Sequence, residues 1–286
     1  MDMNSRMNLD IFKSKIDNEI TEAIQYKNKF VPNTLYKYVP LLDDRYLDYE
    51  EKNQEKITSL KNNKLWISHY KTFNDPFEFK TMIIDMERLQ DKGWKYEEIE
   101  KYLDFFRNLI FTSCFTSEVD NNMPMWAHYA NNHKGYCIKY EVLNANNIYP
   151  VLYEPKRIKS AVIISNLINE MEKMYSEDLK LPTKKFLKNF LYFYLSLSCK
   201  HSFWSYEKEY RFFNFNIDLN SNNSNGKLID LSEAGIKIGA IYIGYNCNEN
   251  YISKLINIGK YIGCEVYKME FNEDEEEFKL KSVKII

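Results

Sequence analysis

Structure-breaking residues are scarce in this sequence: 8 glycines and 7 prolines among 286 residues. No internal repeat and no clean linker divides the chain. Cysteine is also sparse. Cys114, Cys137, Cys199, Cys247 and Cys264 are odd in number, scattered and without a C-x-x-C pair. That pattern argues against a disulfide framework and for free thiols in a reducing cytoplasm. Neither sign of charge dominates, with 39 basic against 41 acidic residues and a net charge of -2. Composition therefore makes no global electrostatic case for nucleic acid or an anionic membrane, while a local basic groove stays open. No apolar run approaches the roughly 20 residues that span a bilayer. The longest, Phe186 to Leu197, is interrupted by Lys188 and Asn189. Met1 to Asp10 is polar and has no apolar signal core.

Several chemical signatures are missing too. There is no P-loop, no G-x-G-x-x-G and no G-x-S-x-G, so kinase, NTPase, dinucleotide-oxidoreductase and hydrolase-elbow readings lose their usual support. His128 and His133 stand five apart, not at the i, i+4 spacing a helix presents to zinc. No metal site is expected.

Asn, Lys, Ile, Tyr and Phe are abundant, as AT-rich codons would give, so the 23 tyrosines are not counted as evidence of base stacking. Hydrophobic residues make up 44% of the chain, enough for a sizeable core. Apolar periodicity predicts helices over Leu9 to Lys29, Asp43 to Leu60, most of Asp85 to Ile110, Ser160 to Tyr175, Thr183 to Ser198 and Glu249 to Ile262. Strands are predicted at Leu35 to Tyr38, Leu65 to Ser68, Phe111 to Thr116, Tyr136 to Val142, Val151 to Tyr153, Gly226 to Leu231, Ile236 to Ile243 and Glu265 to Phe271. Asn74-Asp75-Pro76 is a turn pinned by Phe73 and Phe77. Asn220 to Asn225 reads as a polar loop, and Glu273 to Glu277 as a solvated acidic turn. The expected architecture is one α+β domain over residues 31–286, a mixed or antiparallel sheet core with helical insertions, preceded by a helical extension over residues 1–30.

Trp204 to Arg211 is the stretch around which the rest is organised. Read as a strand, it sends Trp204, Tyr206, Lys208, Tyr210 and Phe212 to one face and Ser205, Glu207, Glu209, Arg211 and Phe213 to the other. Taken alone, the second face reads as a solvated surface on which Arg211 balances two acids. The alternative is a site: two glutamates held close repel, one pKa rises, and that group is poised for proton transfer. A helix opened by Pro124 places Trp126, Tyr129 and His133 on one face and His128 beside them. Gly135 is expected in the left-handed conformation just past its end. Trp126 and Tyr129 read as core aromatics, and the histidines as polar tips suited to a cleft wall.

The ordered set Leu35-Tyr36-Lys37-Tyr38, Leu65-Trp66-Ile67-Ser68, Phe73-Asn74-Asp75-Pro76-Phe77, Ser113-Cys114-Phe115, Met125-Trp126-Ala127-His128-Tyr129-Ala130, His133-Lys134-Gly135 and Trp204 to Arg211 resembles the bacterial and phage family called domain of unknown function 2971, from about Leu35 to Gly244. That family carries no settled activity. A weaker resemblance is to ADP-ribosyltransferases of the DarT type. It rests on the short tyrosine strand, the helix and the Leu-Trp-x-Ser strand, with Glu207-x-Glu209 similar to the glutamate motif of arginine-type transferases. Thr112 to Ser117 only loosely echoes the Ser-Thr-Ser strand of those enzymes. The resemblance implies an ADP-ribosyltransferase-like enzyme in a toxin or phage-defence setting, with NAD as substrate and nucleic acid or protein as acceptor. It implies Glu209 as the catalytic carboxylate, Glu207 orienting the acceptor and His128 in the pocket. Tyr36, Lys37, Ser68, Asn74, Asp75, Trp126 and Arg211 would line or shape the NAD site, with Lys37, Arg211 or a histidine as the pyrophosphate ligand. Two other classes stand beside it: a non-catalytic ligand-sensing or partner-binding module, and a nuclease or other hydrolase using Glu207, Glu209, Asp75 and His128, with or without a divalent metal.

Overall fold

Helical periodicity at the N-terminus produces two helices, not one. α1 (Leu9–Asn18) and α2 (Ile20–Asn28) meet at Glu19, whose backbone is extended. The Asn8 side chain accepts from the backbone N–H of Asp10 at 3.0 Å and Ile11 at 3.1 Å, capping α1. The computed structural model describes residues 7–90, 93–120, 122–160, 162–216, 224–273, 276 and 278–286. Phe12, Ile16 and Ala23 pack into a core built with the later helices. Lys27, fully buried, donates to the carbonyls of Ala145 (2.5 Å), Asn146 (3.1 Å) and Ile148 (2.6 Å). These three bonds fasten α2 to the sheet and satisfy a charge that burial would otherwise penalise.

The chain continues through β1 (Thr34–Val39), α3 (Tyr49–Lys61), β2 (Lys64–His69), β3 (Met82–Ile84), α4 (Met86–Gln90), α5 (Tyr96–Asn108), β4 (Ile110–Thr116), α6 (Met123–Tyr129) and β5 (Tyr136–Val142). Short strands β6 (Ile148–Pro150), β7 (Leu152–Glu154) and β8 (Ile158–Ser160) lead to α7 (Val162–Ser176), α8 (Lys184–Leu197) and β9 (Cys199–His201). Then come β10 (Glu209–Phe215), β11 (Gly226–Asp230), β12 (Ile236–Ile243), α9 (Glu249–Ile262), β13 (Glu265–Phe271) and β14 (Leu280–Lys284). α3 begins later than expected. β14 lies beyond the acidic run, where no strand was expected. Glu273 and Glu276 of that run are exposed. Its residues 274, 275 and 277, like 220–223 of the expected polar loop, fall outside the described residues.

Two local expectations are corrected. Residues 202–207 form a 3₁₀ turn, not the first half of a strand, and Lys208 then adopts a left-handed conformation (φ 44°) before β10 starts. Glu209, Arg211 and Phe213 do share one strand face; Glu207 reaches the same place from the turn. Past α6, the left-handed residues are Asn131, Asn132 and His133, not Gly135. Gly135 is required for a different reason: a Cβ there would stand 2.1 Å from the Val39 carbonyl oxygen.

The main sheet runs β11-β2-β4-β1-β5-β12-β13-β14. Its pairs are antiparallel except β12 with β13, which α9 connects in parallel. The chain is thus a single α+β domain with a mixed, curled sheet. β4 forks it. β10 pairs with β4 over its full length, from Glu209 opposite Thr116 to Phe215 opposite Ile110. The other edge of β4 is shared: β2 takes it at Phe111 and Thr112, and β1 takes it at Thr116. Between them, among the described residues, the stretch from Ser113 to Phe115 has no strand partner on that edge, toward which the Cys114 peptide points. Three apolar clusters hold the layers. One joins α1, α2, α5, α7 and α8 to Phe79, Tyr149 and Phe213. Another packs α3 and α9 against the sheet. A third surrounds Trp126 with Tyr38, Cys137, Tyr242 and Met269.

Candidate functional site

A cleft of about 170 Å³ opens where the sheet forks. Its floor is the unpartnered stretch of β4. Tyr36, Lys37 and Tyr38 of β1 form one side, and Ser68, Phe73 and Asn74 lie toward the β2 end. Met125 and Tyr129 of α6, Lys200 of β9, and Glu207 and Glu209 close the rest. The fork supplies the opening; the 3₁₀ turn and the left-handed Lys208 bring two glutamates to it from different backbone directions.

Behind the cleft runs a chain of buried ions. Tyr129 Oη donates a short hydrogen bond to Glu207 Oε1. Lys200 Nζ donates to Glu207 Oε2 at 2.5 Å and to Glu209 Oε2 at 3.2 Å. Arg211 grips Glu209 through Nε and Nη2 and donates from Nη1 to the Leu197 carbonyl at 2.5 Å. The same Nη1 lies 2.6 Å from Glu78 Oε1, an ion pair set off the line a hydrogen bond needs. Glu207, Glu209 and Arg211 are 3%, 5% and 1% exposed, so the solvated-face reading of this row is overturned. At such burial each charge must be paired, and here each is.

Burial and neighbours separate the two glutamates. Burial alone would raise Glu209, but Arg211 and Lys200 outweigh it and hold the carboxyl below the usual range. Glu207 moves the other way: burial and the charge of Glu209 raise it, against Lys200 and Tyr129. Glu78 is also raised, chiefly by burial. Burial pulls Lys37 down. Its Nζ donates to the Cys114 carbonyl at 3.4 Å, and among the described residues it pairs with no carboxylate. The Thr112 and Ser113 hydroxyls, buried on the cleft floor, have no hydrogen-bond partner among the described residues. A cleft with an ionised carboxylate, a second one inclined to hold a proton, a lysine without a counter-ion and unsatisfied hydroxyls can bind a polar ligand and move a proton on it.

The structure brings Tyr36, Lys37, Ser68, Asn74, Glu207 and Glu209 together around this cleft. Others lie elsewhere. Trp126 is fully buried, bonds the Val119 carbonyl through Nε1 at 3.1 Å and packs edge-on against Tyr38. Asp75 is buried and accepts from the Phe77 N–H at 2.9 Å, closing the 74–77 turn. Arg211 sits behind the carboxylates, where its nitrogens are engaged by protein groups. His128 is exposed outside the lining, 3.2 Å from Tyr206 Oη. His133 lies past the helix and stacks on Trp126. Sequence reasoning missed Lys200, Tyr129 and Glu78. Tyr129 was visible as a helix-face partner of Trp126 but read as core. No spacing announced Lys200, because the turn between it and Glu207 was read as strand. Among the described residues, no group of three or more His, Cys, Asp or Glu is placed to hold a metal ion, and no helix is long and apolar enough to cross a membrane.

Fold and cleft define a single α+β domain organised around a buried ionic cluster at a sheet fork. Residues 125–212 match the family model described as protein of unknown function (DUF2971). The matched span carries Tyr129, Lys200, Glu207, Glu209 and Arg211, which is most of the ionic chain. Tyr36, Lys37, Ser68, Asn74 and Glu78 lie outside it. No curated protein and no solved structure matches the chain.

Proposed function

We propose that this cleft cleaves the bond between nicotinamide and ribose in NAD and transfers ADP-ribose to an acceptor. One observation carries the reading. Tyr36, Ser68 and Asn74, far apart in sequence, line the same cleft as two carboxylates whose proton affinities are driven apart. Breaking the C1′–N bond sends its electron pair to the pyridinium ring, which leaves as neutral nicotinamide, and builds positive charge on the ribose. Glu209, kept ionised by Arg211, faces that charge. The acceptor nucleophile then forms the new bond to C1′ and gives up its proton to Glu207 in its ionised form. The cleft is smaller than the roughly 300–1,000 Å³ typical of whole small-molecule sites, so it takes the nicotinamide–ribose end against Lys37 and the free hydroxyls of its floor, with the rest of NAD outside the mouth.

A second reading has its own support. Each oxygen of Glu207 and Glu209 already accepts from a protein donor, as an ion-paired scaffold in a non-catalytic module would require. Calorimetric titration with NAD, together with an assay of released nicotinamide, separates the two. Binding with release by the wild type, lost in a folded Glu209→Gln variant, supports transfer. No binding by folded wild type removes NAD and leaves the scaffold.

A further inference from the structure

The 3₁₀ turn that delivers Glu207 also carries a row of aromatic rings outward. Phe203 is 84% exposed, yet it is held in place. Its N–H donates to His201 Nδ1 at 3.2 Å, and the two rings lie 4.2 Å apart. Trp204 follows, with the Lys200 ammonium 4.8 Å from its ring centre and Tyr206 6.2 Å beyond. Tyr206 contacts exposed His128 at 6.0 Å. At the rise of a 3₁₀ helix, Phe203 stands roughly 8 Å along the axis from Glu207. Exposure alone is ordinary for a single ring; what sets Phe203 apart is that it is held by His201 next to the half-buried Trp204 and Tyr206, so that ring faces follow one another along the turn.

The flank of this row is basic. β7 pairs with β9 so that Glu154 lies opposite His201. Lys156 and Arg157 follow after Pro155, and Arg157 Nε donates to the Lys80 carbonyl at 2.8 Å, placing Lys80 beside them. All three cations are exposed, and among the described residues none forms an ion pair.

We infer that this shelf binds single-stranded nucleic acid, bases stacked on Phe203 and Trp204 and phosphates on Lys80, Lys156 and Arg157. Stacking faces in series beside unpaired cations suit an unpaired, polyanionic strand, whose bases are free to stack. As the identity of the acceptor, this rests on the transfer reading above; as a binding site, it stands without it.

The test is fluorescence anisotropy of the full chain with labelled twelve-nucleotide single-stranded DNA and RNA, and with a duplex of the same sequence, in the absence of NAD. Single strands should bind more tightly than duplex, and binding should weaken as salt rises. Phe203→Ala should weaken it about five-fold or more, Phe203→Trp should restore it, and the exposed Lys156→Ala should flatten the salt dependence. Because Phe203 is exposed, neither of its variants should alter the melting temperature. Absence of oligonucleotide binding at low salt would overturn the inference and leave the shelf to a protein partner. Equal binding by Phe203→Ala and wild type, or equal binding of duplex and single strand, would overturn it as well. With no NAD present, a failure here is distinct from a failure of nicotinamide release.

Discussion

Arg211 holds Glu209 with a two-nitrogen grip, Nε to Oε1 at 2.8 Å and Nη2 to Oε2 at 3.1 Å, while its third nitrogen faces Glu78 at 2.6 Å. A single guanidinium thus ties a cleft carboxylate to the loop that brings Phe73 and Asn74 to the cleft wall. Arg211→Met should cost about 3–5 kcal/mol, since it strands buried carboxylates without their cation. Arg211→Lys should also destabilise, because an ammonium cannot reproduce the planar fork. Urea unfolding of the three proteins checks both; a loss under 1 kcal/mol for the methionine variant would mean that the cluster is hydrated and not buried.

The two glutamates should leave opposite marks on stability against pH. Glu209 is lowered from 4.5, so the stability it contributes is present above 4.5 and lost as pH falls. Glu207 is raised from 4.5, so its contribution is full below 4.5 and lost as pH rises through its folded value. Glu207→Gln removes only the second dependence. Its stability relative to wild type should therefore improve as pH rises above 4.5 and level off once folded Glu207 is ionised. Melting temperatures of both proteins across pH 4 to 8 report the difference, and parallel curves would contradict the assigned direction for Glu207.

Lys27 is the bolt of the N-terminal helices. Replacing it with Met keeps an apolar stem but leaves the carbonyls of Ala145, Asn146 and Ile148 short of a donor, at about 1–3 kcal/mol for each one left unsatisfied. Amide exchange should quicken across residues 9–28 before it does in β4 or β10. Uniform acceleration throughout the chain would mean that this end unfolds only with the whole.

Gly135→Ala should destabilise by about 1–3 kcal/mol or more, because the added Cβ would overlap the Val39 carbonyl where β1 and β5 meet. Gly263→Ala is the contrast: its Cβ meets nothing within 4 Å, and its cost should come from the left-handed backbone (φ 73°) alone. Thermal melts should rank Gly135→Ala as the more damaging.

The periodic elements were legible in the sequence. α9 and β13 fall on the expected residues, and Pro124 marks the start of α6 as its fixed φ leads one to expect. The candidate cleft was half legible. Tyr36, Ser68, Asn74, Glu207 and Glu209 stood out because each belongs to a compact, unusual motif. Lys200 and Glu78 did not, since their importance comes from charges that meet only after α8, β9 and the 74–79 loop have folded around Arg211. The strand alternation written over Trp204 to Phe213 failed at one residue, Lys208, whose left-handed turn no composition rule signals for lysine. A non-glycine residue there is strained, and the buried ion pairs on either side hold it.

The fork at β4 has a consequence for how this protein tolerates change. At Cys114, among the described residues, one edge of the strand turns a peptide group toward the cleft that no neighbouring strand pairs with; its carbonyl meets only the Lys37 ammonium, at 3.4 Å. A molecule lodged in the crotch of the fork would meet main chain at that point as well as side chains. Recognition through the main chain survives replacement of the side chains above it. Alanine scanning will therefore understate this part of the cleft, and a sequence that has drifted at Cys114 can keep the same main-chain group in place.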